Sequence, residues 1–238
     1  LHVDTLNIKS IRLNCIILWA NLRAFIRQMD GSMHKFCQIF LFSVSIFLST
    51  YASDTPVTVA IQPFSDFDTA LLPVIKMGVE DFYSDFNISV IILPETNLPS
   101  FAWYPPRSRY RAEKILHYLK TLQNGSYTKI TGLISKDIST TKDSIYDWGI
   151  FGLGELGGPT CVVSTFRLKK NSISKDVFLR RLLEIVNHEI GHTFGLDHCT
   201  HSGCIMEDAK GTIKTVDNSS GTLCNACRKW LMTIFDIH

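Results

Sequence analysis

The sequence predicts an α/β (α+β) fold: a βαβαβ sheet with an antiparallel edge hairpin, one long helix bearing the chemistry, and a small cysteine-rich C-terminal subdomain. Three observations carry this expectation. Apolar, β-branched runs at 57–61, 88–93 and 130–134 alternate with two stretches of helical periodicity, and such alternation favours parallel strands joined by crossover helices. Two short strand-like runs, 149–156 and 160–165, flank the turn signal Gly157-Gly158-Pro159, which predicts an edge hairpin. A third helical period begins at Asp176 and places Glu189 and His192 on its buried stripe.

Taken in order, the chain opens with a segment outside this fold. Residues 33–52 begin Met33-His34-Lys35, stay apolar from Phe36 to Leu48 and end on Ser49-Thr50-Tyr51-Ala52. The apolar stretch is shorter than the ~20 residues of a membrane span, and with a basic start and small residues before a cut after Ala52 it reads as a secretory signal peptide. Residues 1–32 then read as upstream translation with no assigned fold. The domain is expected to occupy 53–238, as an N-terminal subdomain at 53–195 and a C-terminal one at 196–238. A secreted or periplasmic location follows, with the cytoplasm as the alternative.

Within the domain, Asp66 or Asp68 can cap the helix whose stripe is Ile75, Val79, Phe82 and Phe86, at spacings of 4, 3 and 4. Pro94 closes the second strand. After a proline-rich loop, Ala112, Ile115, Leu116, Leu119 and Leu122 share one face until Asn124-Gly125 stop the helix. The last long helix carries Phe178, Leu182, Ile185, Glu189 and His192 on one stripe. The strand around Cys161 to Thr165 is the expected edge for an extended peptide bound by strand addition, with a plain core strand as the other reading.

Composition narrows the function classes. With 45% hydrophobic and 19% charged residues among 238, the chain is globular and neither disordered nor fibrous. Its net charge is +2, and 53–238 alone holds 19 basic and 20 acidic residues. No dense basic tract is present, so a nucleic-acid partner that needs phosphate neutralisation is not expected.

The chemistry lies in His188-Glu189-x-x-His192-x-x-Gly195-x-x-His198. His188 and His192 stand one helical turn apart, so both imidazoles can converge on one metal. Gly195 can end the helix in a left-handed conformation and let His198 swing back as third ligand. Three imidazoles leave zinc a position for water, the mark of a catalytic site. A chance match of five such positions has a probability on the order of 10⁻⁵. Beyond the helix, Cys199-x4-Cys204 and Cys224-x2-Cys227 suit a closed tetrahedral zinc site, and two disulfides are the competing reading in a secreted chain. Cys161 reads as an inert core thiol and His201 as a solvated loop histidine.

With Met206 placed two residues after Cys204, these spacings resemble the archaemetzincins, zinc metallopeptidase-like proteins of the metzincin group, and the looser resemblance spans most of 57–230. The resemblance implies a zincin-like sheet, His188, His192 and His198 as ligands of a catalytic Zn2+, and Glu189 as general base. It further implies a second, structural Zn2+ on Cys199, Cys204, Cys224 and Cys227, and Met206 as the methionine of the turn beneath the active metal. No tyrosine follows Tyr146, so the tyrosine that some other metzincins place beyond that turn has no counterpart. The implied function is a metalloendopeptidase or aminopeptidase, hydrolysing a peptide or protein substrate with a zinc-bound water that Glu189 activates. Two alternatives remain: a peptidase of the two-histidine, one-glutamate type with Glu207 or a later acid as third ligand, and a zinc protein that binds peptides or partners without turnover.

Overall fold

Residues 57–170 and 174–237 are described by the computed structural model; the segments 1–32 and 33–52 lie outside them. Strand β1, Val57–Pro63, alternates its side chains between two cores, with Val59 and Ile61 on one face and Ala60 on the other. A strand buried on both faces belongs in the middle of a parallel sheet. It pairs in parallel with β2, Ile88–Ile92, and with β5, Lys129–Ile134. Strand β9, Thr160–Ser164, extends the sheet in parallel beyond β5, and β8, Gly152–Gly154, closes it antiparallel, in the order β2-β1-β5-β9-β8. The βαβαβ core and its antiparallel edge hairpin are therefore present.

One expectation is corrected. β9 is buried along its whole length and bonded on both sides, so it is a core strand, and the edge belongs to β8. The run 149–156 is also divided. Gly149 and Ile150 end β7, Ile145–Ile150, which pairs with β6, Ile138–Lys142, in a second sheet ordered β3-β4-β6-β7 with β3, Trp103–Tyr104, and β4, Arg109–Arg111. These strands are short and mostly only partly buried, and their polar stretches carry little hydrophobic period to read.

Helix α1, Leu72–Phe82, covers one face of the main sheet together with α3, Lys175–Thr193, and α2, Ala112–Thr121, covers the other. Asp68 caps a short 3-10 turn ahead of α1. Phe86 reaches the core from a second 3-10 turn, because α1 has ended at Phe82. Each fully buried Ile, Leu or Val here contributes about 1.5–3 kcal/mol relative to exposure. Two short helices follow, α4, Ile213–Asp217, and α5, Asn225–Ile234. Val216 of α4 and Cys227 and Leu231 of α5 join the core that α1 and α3 bury.

Candidate metal centre

Helix α3 starts where Ser174 Oγ accepts from the Val177 N–H at 3.2 Å, a side-chain cap. It ends because Gly195 adopts φ +84°, a conformation that suits glycine. At that end Lys129 Nζ donates to the carbonyls of Thr193 at 2.6 Å and Gly158 at 3.0 Å, placing a cation at the negative pole of the helix. Arg181, buried in the middle of α3, grips Asp217 of α4 through two bonds of 2.7 Å. The helix is thereby fixed at its start, middle and end.

On this frame His188, His192 and His198 bring ligating nitrogens within 4.8 Å of one another. The first two are buried and His198 is exposed. His188 Nδ1 faces the Ile205 carbonyl and His192 Nδ1 the Leu196 carbonyl, each at 2.7 Å. A carbonyl only accepts, so both Nδ1 atoms carry the hydrogen and both Nε2 atoms present lone pairs. Those two Nε2 atoms stand 3.0 Å apart. Two facing lone pairs repel unless a cation lies between them, which is the fit test for a metal here. Burial lowers the His188 pKa to about 3 and lowers that of His192, keeping both rings in the neutral form that ligates.

Glu189 is buried against strand β8. A Cβ at Gly152 would lie 2.6 Å from Glu189 Cγ and Oε1, and one at Gly154 would lie 2.6 Å from the Glu189 carbonyl and 2.7 Å from His192 Cβ. Only glycine lets the strand approach so closely. Burial raises the Glu189 carboxyl to about 8, against a hydrogen bond from the Gly154 backbone that favours the ionised form. Met206 is fully buried beneath the helix, and a Cβ at Gly191 would meet its Sδ at 2.8 Å. None of these three glycine contacts is legible in the sequence. The spacing Gly152-x-Gly154 was the available signal, and strand period alone gives it no meaning.

The four cysteines form a second cluster, with sulfurs within 4.8 Å of one another. Cys199 Sγ lies 3.7 Å from Cys224 Sγ, and Cys204 Sγ lies 3.8 Å from Cys227 Sγ. A tetrahedron with zinc–sulfur bonds of ~2.3 Å has edges of about 3.8 Å, whereas a disulfide is ~2.05 Å. All four are free thiols, so the disulfide reading does not describe this structure. The backbone N–H groups of His201 and Cys224 donate to Cys199 Sγ at 3.3 Å and Cys204 Sγ at 3.4 Å. The Cys224 thiol falls to about 7, because backbone and thiol hydrogen bonds together outweigh the larger single effect of burial.

The remaining candidates separate from both clusters. His201 is exposed and contributes only its backbone N–H. Glu207 Oε2 accepts from the Gly203 N–H at 2.8 Å and stands outside the histidine group. Cys161 is buried with its thiol on Thr131 Oγ1 at 3.2 Å, and burial pushes its pKa up. The histidines and Glu189 open onto a cavity of about 400 Å³, bounded by β8, by Lys142 and Trp148 of the β6–β7 hairpin and by the chain after Met206.

A family model described as peptidase family M54 matches residues 57–233. The archaemetzincin of Haloquadratum walsbyi is 33% identical over 153 residues, covering 61% of this chain and 84% of that protein. That of Natronomonas pharaonis is 29% identical over 184 residues, 73% of this chain and 99% of the other. The crystal structure of archaemetzincin from Methanopyrus kandleri superposes with a TM-score of 0.67 at 26% identity, covering 78% and 98% of the two chains. The one from Archaeoglobus fulgidus, complexed with malonate, gives 0.60 at 26% identity, covering 73% and 99%.

Proposed function

The chain belongs to peptidase family M54 and is an archaemetzincin-type zinc metallopeptidase, and from that premise we propose that His188, His192 and His198 hold its active zinc while Glu189 moves the proton that peptide hydrolysis requires. The observation that carries this reading is the placement of a buried carboxyl beside three converging imidazoles at one cavity wall. Bound zinc supplies Lewis acidity, which polarises a carbonyl and makes water acidic near neutral pH.

The residues of the chain do the rest. Glu189, whose ionised form the charge of a bound zinc would favour, accepts the proton of the attacking water and returns it to the leaving amine, and the Gly154 N–H holds its carboxylate in place. The outer edge of β8 faces the cavity, so an extended substrate pairs there by strand addition. Lone-pair alignment at His188 and His192 is set by the Ile205 and Leu196 carbonyls, a supporting shell of the kind that tunes metal ligands. Met206 gives that shell an apolar floor.

The proposal includes a second zinc on Cys199, Cys204, Cys224 and Cys227, supported by the sulfur spacings, with no open position and hence a structural role. It also includes export through residues 33–52, supported by their basic start, short apolar run and small residues before Ser53; a mature chain that begins at Ser53 outside the cytoplasm checks that part. Among the described residues no helix is long and apolar enough to cross a membrane. For the active site, a mixed peptide library is the test: the zinc-loaded protein cleaves it and Glu189→Ala does not. Undiminished cleavage by the variant overturns the role of Glu189.

A further inference from the structure

The cavity beside the histidines is closed at one end. A Cβ at Gly211 would lie 3.0 Å from Trp148 Cζ2 and 3.6 Å from its Nε1, so the indole rests on the backbone of Gly211. Trp148 belongs to β7 and Gly211 to the chain after Met206, and both line the cavity. Their contact therefore joins its two sides. Gly211 has φ +74°, so a side chain there would be strained as well as in the way of the ring. At the other end β8 leads to Leu156, which also lines the cavity and is 57% exposed, so that end reaches solvent.

The closed end carries two cations. Lys142 and Lys210 line the cavity, Lys142 with its Nζ 5.6 Å from the centre of the Trp148 ring and Lys210 next in sequence to Gly211. Both residues are exposed, and among the described residues neither ammonium is in an ion pair. Asp208 faces both lysines, but it also faces His198, and its Oδ1 accepts from the Lys210 backbone N–H at 2.8 Å. Two ammoniums against one carboxylate leave a positive excess at this wall.

Trp148 stands four residues before Gly152, the strand residue packed on Glu189. Four residues of chain span at most about 14 Å, so an extended substrate paired to β8 has room for no more than about four residues between the reacting bond and the wall. A cationic wall attracts a free carboxylate and repels a free amine. Antiparallel pairing, the more stable arrangement, likewise brings the C-terminal end of the substrate to the first residue of β8.

We propose that the closed end of the cavity holds the free C-terminal carboxylate of the substrate between Lys142 and Lys210, so that the chain is cut no more than about four residues from its C-terminus. The proposal rests on the peptidase reading above and names the cleavage position that reading leaves open.

Peptides of one sequence, with the C-terminus free or amidated and the N-terminus free or acetylated, provide the test. Cleavage is measured and mapped with the zinc-loaded full chain and with the double variant Lys142→Met, Lys210→Met, and binding is measured by calorimetry with Glu189→Ala. Amidation of the C-terminus is expected to lower kcat/KM about tenfold or more, as loss of a hydrogen bond to a charged group would, and acetylation of the N-terminus to leave it nearly unchanged. The double variant is expected to bring the ratio of free to amidated peptide close to one. Each ratio is internal to one preparation, so partial unfolding of the variant does not alter it. Equal turnover of free and amidated peptides, cleavage mapped far from the C-terminus, or an unchanged ratio in the double variant overturns the subsite while leaving the peptidase reading intact. Tighter binding of the free-acid peptide without any turnover does the reverse, and equal binding without turnover overturns both.

Discussion

Gly152 and Glu189 are in contact so close that a single methyl group between them would stand 2.6 Å from the Glu189 side chain. The edge strand and the helix that carries the histidines are thus held at a separation only a bare backbone permits, and the carboxyl is clamped rather than free to turn. Gly154 repeats the constraint two residues on, against the Glu189 carbonyl and His192. The same strand that offers an edge to substrate therefore sets the position of the proton carrier.

Gly152→Ala should accordingly reduce kcat/KM by about a hundredfold, the order lost when a catalytic group moves by about an ångström, while destabilising the fold by about 1–3 kcal/mol through overpacking. Zinc content should not change, since the atoms nearest to that added methyl all belong to Glu189 and none to a metal ligand. Steady-state kinetics beside metal analysis checks it. Activity within twofold of wild type would show that Glu189 is not held by this contact.

The main sheet was legible because 57–61 and 130–134 are apolar on both faces, and the metal residues because their spacing has little other use. The second sheet was not. Strands of two or three residues such as Trp103–Tyr104 and Arg109–Arg111 carry no period to count, and the second of them joins the sheet by a parallel contact with residues almost thirty positions later. The edge was misplaced for a related reason. Thr160–Ser164 looks more like a strand than Gly152–Gly154, because glycine weakens the strand signal at the very place where helix packing demands it.

The metal-free protein should show a broad stability plateau between about pH 4.5 and 6.5, where the loss from Glu189 and the gain from His188 oppose each other as pH rises. Glu189 is raised from 4.5 to about 8 by burial, so its contribution is complete below 4.5 and is lost as pH rises through 8. His188 is lowered from 6.5 to about 3 by burial, so its contribution is complete above 6.5 and is lost as pH falls towards 3. His192 adds to the acid limb in the same direction. Thermal midpoints across pH, after removal of the histidine-bound metal, should fall on both sides of the plateau. Glu189→Gln should remove the alkaline fall and leave a stability that rises to about pH 6.5 and then stays level, and an unaltered alkaline fall would mean that another group causes it.

Lys129 reaches from β5 to the end of α3, and its two carbonyl partners, Thr193 and Gly158, belong to the helix and to the hairpin turn. Lys129→Met keeps the apolar stem and removes both charged hydrogen bonds, each of which contributes about 1.5–3 kcal/mol. Because the variant also relieves the desolvation of the half-buried ammonium, a net loss of about 2 kcal/mol in a denaturant titration is expected, with faster amide exchange at the end of α3 beside His192. A variant as stable as wild type would place the helix terminus under the control of Gly195 alone.

The last prediction concerns the cysteine cluster, which ties together three separate stretches of chain. Cys199 and Cys204 lie on either side of a loop whose backbone pairs with Met206 and Thr222, through Cys199 N–H to the Met206 carbonyl at 2.8 Å and Ile205 N–H to the Thr222 carbonyl at 2.9 Å. Cys224 and Cys227 open helix α5. A metal held by all four therefore fixes the segment that carries Met206 and the Ile205 carbonyl, the acceptor of His188. Binding free energy in such a closed site is folding free energy. Cys224→Ser should lower the zinc content from two ions to one, strongly destabilise residues 199–234 and weaken retention of the remaining ion, because His188 loses its orienting carbonyl. Glu189→Gln should leave both ions and the melting temperature nearly unchanged while removing turnover. Metal analysis with hydrogen exchange on the two variants separates these outcomes, and a Cys224→Ser protein with wild-type stability and two bound ions would remove the cysteine site from the account.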